Sequence, residues 1–400
     1  MNNLVLLACF LGIGLGCAMA HREASLSVTS VCVALLIGLM TAPLVMPLHG
    51  VPHHLVRDTP FLLSAFSDFV IWRQHHTTQW LMDIAIGLGS TLVIFGLILT
   101  AFVPLGRVTG GLLAAHPNRV AGYSLNIAAS LIGMWAFNGV SMLWLPPWVW
   151  FLVITASLVL CRPRAVTEWI SLGLLLLAVG YLAFASQPPA ATVLWSPYQK
   201  LEVIPTTVGI NRAYTVTVNN VGYMNLLDLS RKGLQGLPIF VNPMMRAFNQ
   251  YDVPYRFLDR QPSEALIVGA GGGNDAAGAL RNGARHVTAV EIDPGIYRIG
   301  RRLHPEAPYA DERVSVVIAD ARAVFKRTSV RYDVIAFGLL DAHVHASTYT
   351  NTRLDHYVYT EESFREAKRL LTDDGVMTVI FEVERPFIAA RLGGLLQRVF

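Results

Sequence analysis

The chain has 400 residues, 53% of them hydrophobic and only 14% charged, with a formal net charge of +4. About a quarter of a soluble protein is usually charged, so this composition excludes a uniformly soluble globule. No basic stripe interleaved with aromatics accompanies the small positive balance, which argues against a nucleic-acid partner.

The deficit of charge is confined to one half. Residues 1–186 hold seven Lys and Arg and five Asp and Glu, and the remainder of the chain carries the rest. A membrane half is therefore joined to an ordinary, nearly neutral globular half. All four cysteines (Cys9, Cys17, Cys32 and Cys161) lie in apolar runs of the first half. They form neither a disulfide framework nor a metal-ligand spacing, so core packing is their expected role.

Residues 3–20 and 26–47 are long enough to cross a bilayer core of about 30 Å. The first run ends Ala18-Met19-Ala20, like a signal-peptidase site, but it has no basic leader and a second apolar run follows at once, so a retained helix is expected. Residues 48–83 are mixed and broken by Pro52 and Pro60, with Trp72 and Trp80 suited to an interface. Further spans are expected at 84–105, 121–142, 144–161 and 169–186, about six in all. The span 121–142 carries Ser124, Asn126, Ser130 and Asn138, residues that inside a bilayer usually face a neighbouring helix. No Lys, Arg, Asp or Glu falls inside these expected spans, which argues against an ion-coupled transporter.

After the linker Gln187-Pro-Pro-Ala-Ala, alternating segments at Tyr198–Val203, Tyr214–Asn219 and Val221–Leu227, with an Asn219-Asn220 turn, predict a small β-meander. The pattern then changes: strand 265–268, helix 275–282, strand 286–291, helix 294–303, strand 313–318, helix 321–327 and strand 332–337. A long loop precedes a helix at 361–371, capped by Thr360. Asp374-Gly375 is expected to turn the chain into strand 376–382, and 384–398 reads as a last helix. Alternating strands and helices predict a parallel, doubly wound sheet. Five strands are accounted for, and the sequence stops at Val399-Phe400 where a sixth could begin, which fits either a smaller domain or a piece of a longer chain.

One stretch carries chemistry. Ala265–Val268 is a buried strand, and Gly269, Gly271, Gly272 and Gly273 follow before Asp275 opens a helix. A strand turning through glycines into a helix lets a ligand lie against the backbone at a helix N-terminus. The next strand ends in Glu291, placed to accept hydrogen bonds from two ribose hydroxyls. The alternative is a glycine turn that only lets the helix pack close to the sheet. After the fourth strand come Asp341-Ala-His343-Val-His345 and Arg353-Leu-Asp355-His-Tyr357, at the sheet edge where open α/β folds bind ligands. His343 could act as a base oriented by Asp341; a solvated polar loop and a metal site are the alternatives. Arg353 could pair with Asp355 or clamp a carboxylate.

The meander followed by a glycine-rich sheet resembles the spermidine synthase (polyamine aminopropyltransferase) family, built on the class I methyltransferase fold. The resemblance covers residues 196–383, and the whole arrangement is similar to bacterial membrane-fused members. It is carried by Ser196-Pro-Tyr-Gln199, by Gly269 to Gly273 with Glu291, by Ala319-Asp320-Ala321 and by Tyr332-Asp-Val-Ile-Ala-Phe337. It implies that Gln199 helps hold a nucleoside, that Glu291 takes the ribose and that Asp320 binds the adenine amino group. It also marks departures. Gly338 stands where the family's first catalytic aspartate belongs, Asp341 falls on the second, and Gly272 replaces the loop aspartate unless Asp275 takes its part. A tyrosine–acid pair for a diamine is not recognisable in 221–250.

The expected organisation is a transmembrane helical domain over 1–186, a linker and small β domain over 187–262, and a Rossmann-like nucleoside-binding domain of the class I methyltransferase type over 263–400. The expected function is a transferase using S-adenosylmethionine or its decarboxylated form as donor substrate, without a metal. Gln199, Gly269, Gly271, Gly272, Gly273, Asp275, Glu291 and Asp320 hold the donor in this reading. Asp341 and His343 are catalytic, and His345, Arg353, Asp355 and Tyr357 face the acceptor. A methyltransferase, or a non-catalytic nucleoside- or polyamine-sensing protein, is the alternative. The expected partners are the lipid bilayer and a small-molecule acceptor such as an amine, with a homo-oligomer compatible. The expected location is a multi-pass protein of a bacterial cell membrane. The positive-inside count places the globular half outside the cytoplasm, whereas a cytosolic donor places it inside; the ligand site is given the greater weight.

Overall fold

The computed structural model describes residues 2–21, 25–45, 80–161, 163–186, 191–209, 211–219, 221–235, 249–340, 357–381 and 386–400. The described residues fall into two compact units that divide at residue 190.

The first unit is helical: α1 (Asn2–Ala18), α2 (Ser27–Val45), α3 (Trp80–Ala115), α4 (Arg119–Met142), α5 (Pro147–Leu160) and α6 (Val166–Ala185). Asn118 begins α4 by accepting a hydrogen bond from Ala121 N at 3.1 Å, and Pro147 occupies the first turn of α5, where its missing N–H costs nothing. Glu168 joins two helix starts. It accepts from Arg164 N at 2.8 Å ahead of α6 and from Leu26 N at 3.3 Å ahead of α2. Ile37, Leu158, Leu172, Leu175 and Val179 of α2, α5 and α6 form a small apolar core. Helices α1 and α3 meet backbone to backbone at glycines. A Cβ on Gly16 would lie 2.2 Å from the Val103 carbonyl oxygen, and one on Gly106 would lie 2.3 Å from that of Ile13. Small residues are what permit so close an approach.

Leu88–Ala115, Arg119–Met142 and Val166–Ala185 are long and apolar enough to cross a membrane, while Leu4–Ala18, Ser27–Thr41 and Pro147–Leu160 are shorter apolar helices. Three of the six expected spans therefore meet that length among the described residues. The boundaries also move. Helix α3 runs on past residue 105 to include Arg107, and α6 starts early enough to include Glu168, so both charges expected in loops lie on helices.

The second unit opens with an antiparallel sheet, β1 (Thr192–Trp195), β2 (Lys200–Val208), β3 (Asn211–Val218) and β4 (Val221–Leu226), in that spatial order. Asn219 turns β3 into β4 at a φ of 49°, a conformation asparagine tolerates better than most residues. The short β1, not expected from its composition, pairs Thr192 with Val203. Alternation buries Leu201, Val203, Val216, Val218 and Leu226 against Ile296 and Ile299. A short helix, α7 (Arg231–Gln235), follows.

The larger sheet is parallel throughout, in the order β7 (Val314–Ile318), β6 (His286–Glu291), β5 (Glu264–Val268), β8 (Tyr332–Phe337), β9 (Leu371–Val379). Its helices are α8 (Asn274–Arg281), α9 (Pro294–Leu303), α10 (Ala321–Arg327), α11 (Glu361–Lys368) and α12 (Pro386–Val399). Both faces are covered, as a parallel sheet requires. Leu266, Val268, Ile335 and Phe337 point to one face with Phe325 and Phe364, whereas Ala265, Ile267, Val334 and Ala336 point to the other with Ala276 and Ala279 of α8. The alanines on that second face leave room for α8, and the glycine loop before it, to lie close to β5. Strand β9 starts at Leu371 rather than 376. Asp374-Gly375 sits within it as an irregularity, where Tyr332 pairs with Leu371 but Val334 pairs with Val376.

Candidate functional site

The carboxyl ends of β5, β6, β7 and β8 lie side by side, and the residues after them form the site. After β5 the chain turns through Gly269, Gly271 and Gly273 at φ values of 71°, 56° and 108°. Only glycine takes such angles without strain. Several contacts fix the loop from outside. Tyr309 shares its hydroxyl proton between the carbonyls of Gly271 at 2.7 Å and Ala270 at 3.1 Å. Helix α9 closes in at Gly300, where a Cβ would lie 2.2 Å from the Gly272 oxygen, while Met224 and Leu226 of β4 cover Gly272.

Glu291 ends β6, 4% exposed. Its Oε2 accepts from Gly271 N at 2.8 Å and its Oε1 from Asp293 N at 2.9 Å. Burial pushes its carboxyl up to about 7, against the pull of the Asp293, Gly271 and Ile292 amides. Two carboxylate oxygens offer about four acceptor sites, so capacity to accept from a hydroxyl is left beyond these amides. Asp320 follows β7, is exposed, and caps α10 by accepting from Ala323 N at 3.1 Å. Gln199 reaches the site through an intermediary. Its Nε2 donates to Asp293 Oδ2 at 3.0 Å, and Ser196 Oγ donates to the same oxygen at 2.8 Å.

Asp275 lies in the first turn of α8, buried. Burial pushes its carboxyl up to about 7. It lies beside the start of the chain leaving β8: a Cβ on Gly338 would be 3.3 Å from Asp275 Oδ2 and 2.9 Å from the Gly269 oxygen. The post-strand backbone is held by Tyr359, whose hydroxyl donates to the Gly338 carbonyl and accepts from Leu340 N, each at 3.3 Å. Tyr357 is 55% exposed. Asp341, His343, His345, Arg353 and Asp355 lie outside the described residues. Among the described residues no cluster of three acidic, His or Cys side chains could hold a metal.

The structure thus brings Gly269–Gly273, Asp275, Glu291 and, through Asp293, Gln199 to one edge of the sheet, with Asp320 at the end of the adjoining strand. Three residues at this edge carry no motif. Asp293 is 1% exposed and receives both meander contacts. Its position before Pro294 is a helix-cap signature that could have revealed it. Asn274 donates to the Asn225 carbonyl at 2.8 Å and to the Tyr251 hydroxyl at 3.1 Å. His304 lies 3.0 Å from Asn274 Oδ1, and its Nδ1 accepts from Glu306 N at 3.1 Å. That acceptance makes Nε2 the protonated, donating nitrogen. Burial depresses His304 to about 4, with Arg281 adding to the effect. These contacts arise between distant residues and have no local pattern.

Residues 252–391 match the family described as the spermine/spermidine synthase domain. A polyamine aminopropyltransferase of Thermoplasma acidophilum is 33% identical over 91 residues, covering 22% of this chain and 33% of that protein. One from Korarchaeum cryptofilum is 29% identical over 119 residues, covering 29% of this chain and 34% of that protein. The chain spans about a third of the length of these curated relatives. Among solved structures, spermidine synthase from Thermotoga maritima aligns at a TM-score of 0.38 with 17% identity, over 52% of this chain and 62% of that one. Residues 252–391 are thus spermidine synthase-like in sequence, the resemblance their motifs implied, and their parallel sheet is of the Rossmann-like type.

Proposed function

We propose that this chain is a membrane-anchored aminopropyltransferase. It takes decarboxylated S-adenosylmethionine as donor and moves the aminopropyl group to an amine acceptor. The observation that carries this is the Glu291–Gly271 hydrogen bond of 2.8 Å at the carboxyl edge of a parallel sheet, inside the segment matching the spermine/spermidine synthase domain.

In this reading Glu291 takes the ribose hydroxyls, the loop Gly269–Gly273 lies under the nucleoside, and Asp320 meets the adenine amino group. Gln199 acts from behind, by holding Asp293. Asp341, His343, His345, Arg353, Asp355 and Tyr357 belong to the acceptor side. The three long apolar helices anchor the enzyme in a bilayer, as part of a membrane domain over 1–186. The β domain spans 187–262 and the nucleoside domain 263–400, facing the cytoplasm where the donor is made.

The chemistry suits so few polar groups. The carbon beside a sulfonium is already activated, and the leaving group departs as a neutral thioether without a proton. Positioning two reactants in line carries most of the rate. The remaining need is a neutral amine, since an ammonium has no lone pair to attack with.

Calorimetry on the full chain in detergent, titrating the decarboxylated donor against S-adenosylmethionine, tests the proposal together with an assay for methylthioadenosine release. Preference for the decarboxylated donor, with methylthioadenosine formed only when amine is present, is the expected result. Preference for S-adenosylmethionine with methylated product would make the protein a methyltransferase. Binding of neither would overturn the enzyme reading.

A further inference from the structure

We infer that Asp275 is the proton acceptor for the attacking amine, standing in for the side chain absent at Gly338. The inference rests on the aminopropyl-transfer reading above and adds a residue to it.

Two constraints meet at the end of β8. The resemblance expects an acid at position 338, yet a Cβ there would sit 2.9 Å from the Gly269 carbonyl oxygen, closer than real Cβ contacts allow. The glycine loop lies against the strand end and leaves no room for a side chain. The space above Gly338 is taken instead by the carboxylate of Asp275, whose Oδ2 would lie 3.3 Å from that same Cβ. An acid is therefore present at this point of the sheet edge, delivered by the first turn of α8 and not by the strand.

The surroundings suit a group that exchanges protons. Asp275 is 8% exposed, and burial places its carboxyl near 7, where both forms are populated at neutral pH. The charge that acts on it is Arg281 of its own helix, which is itself paired with Asp252 at 2.9 Å and Glu306 at 2.6 Å. Glu291 stands on the other side of the glycine loop. Burial raises three nearby tyrosines, Tyr251 to about 12 and Tyr255 and Tyr309 as well, and the charge of Asp275 adds to each, after that of Glu291 at Tyr309. The Tyr255 hydroxyl is buried and has no hydrogen-bond partner among the described residues, although burying such a group unpaired is costly.

The step balances as follows. An alkylammonium gives one proton to the Asp275 carboxylate and becomes a neutral amine. Its lone pair forms a bond to the methylene carbon attached to the sulfonium. The carbon–sulfur bond breaks with its electron pair going to sulfur, leaving neutral methylthioadenosine. The new secondary ammonium carries the positive charge, and Asp275 returns its proton to solvent.

The test compares the full chain in detergent with Asp275→Asn and Asp275→Glu, using 1,4-diaminobutane as acceptor. Asparagine matches the protonated acid in size and charge, and cooperative thermal unfolding in the same detergent shows that the variant is folded. The expected result is a fall of about 100-fold in kcat at pH 7.5, the low end for losing an acid–base group, with partial recovery in Asp275→Glu. The pH profile separates chemistry from structure. Asp275→Asn should gain rate about tenfold per pH unit towards pH 9, because it depends on amine already deprotonated in water, whereas wild type levels off above its own acid limb near pH 7. An Asn variant with wild-type kcat and an unchanged profile overturns the inference. If wild type forms no product with any amine, the transferase reading fails. Calorimetry of 1,4-diaminobutane in buffers of different ionisation enthalpy then decides on Asp275 alone. Proton exchange present in wild type and lost in Asp275→Asn sustains it, and equal exchange in both overturns it.

Discussion

Gln199 and Asp293 are 94 residues apart and meet at 3.0 Å, which ties the antiparallel meander to the parallel sheet at the point where Glu291 also turns. Asp293 holds Ser196 with the same oxygen and caps α9 through Gly295 N at 2.7 Å with the other. Asp293→Ala should therefore cost about 2–4 kcal/mol, the sum of a lost cap and a broken buried network. Thermal unfolding of the full chain checks it. A melting temperature within a degree of wild type would show that the two sheets dock without this contact.

Gly300→Ala should weaken donor binding more than it weakens the fold. The added methyl would lie 2.2 Å from the Gly272 oxygen, and the loop is the movable partner because α9 is packed through Ile296 and Ile299. Displacements of about 1 Å can cost a site 100-fold, so a rise in donor Kd of at least about tenfold is expected by calorimetry. Tyr309→Phe removes the proton that holds Gly271 and should act in the same direction with less effect.

Stability should rise as the pH falls from 7 towards 5, the reverse of ordinary acid denaturation. Glu291 and Asp275 have folded values near 7, raised by burial from 4.5 and 3.8. Between those limits the folded state binds more protons than the unfolded one, so raising the pH costs stability until both are ionised. His304 opposes this. Its folded value near 4 lies below 6.5, so its contribution is complete above 6.5 and is lost as the pH falls towards 4. Two carboxyls outweigh one imidazole, which places the optimum near pH 5. Melting curves from pH 4 to 8 should show it, and Asp275→Asn with Glu291→Gln should flatten the slope between 5 and 7. A melting temperature that climbs steadily to pH 7 in wild type would contradict the burial of these acids.

Donor binding should release protons at pH 6.5. A cationic sulfonium near two half-protonated carboxyls favours their ionised forms. Calorimetry of the decarboxylated donor in two buffers of different ionisation enthalpy would give unequal apparent heats. Glu291→Gln should both shrink the difference and raise Kd about 10–100-fold, the loss of one or two charge-assisted hydrogen bonds.

Much of the sheet domain was legible because its periods are strong. Helix 321–327 and strands 286–291 and 332–337 fall at the residues expected, since buried parallel strands are continuous apolar runs. Strand β9 starts earlier than its composition predicts, because Asp373-Asp374-Gly375 reads as a turn. Arg260 binds Asp374 at 2.9 Å and Asp333 at 2.6 Å, and that long-range clamp holds the segment in the sheet. Motif spacing made legible that Gly269–Gly273 and Glu291 gather at the carboxyl edge of the sheet. Asp275 is read from the sequence as a substitute for the loop aspartate; its closeness to Gly338 had no signal there, because it depends on how α8 packs on β5. The shorter β1 has four residues and no pattern of its own; pairing with β2 defines it.

The glycine contacts between α1 and α3 carry a consequence for how sequence can drift there. Gly12, Gly16, Gly106 and Gly110 each face backbone or a Cβ of the other helix within 3.1 Å of where a methyl would project. Affinity between these helices is set by the absence of atoms at four points, so no compensating change of side chain can replace what a single added carbon takes away. Substitution tolerance along the two helices should therefore be notched at four-residue intervals. The large apolar residues facing outward, such as Leu7 and Phe10, should exchange freely with one another, while alanine at Gly16 or Gly106 alone should part the pair.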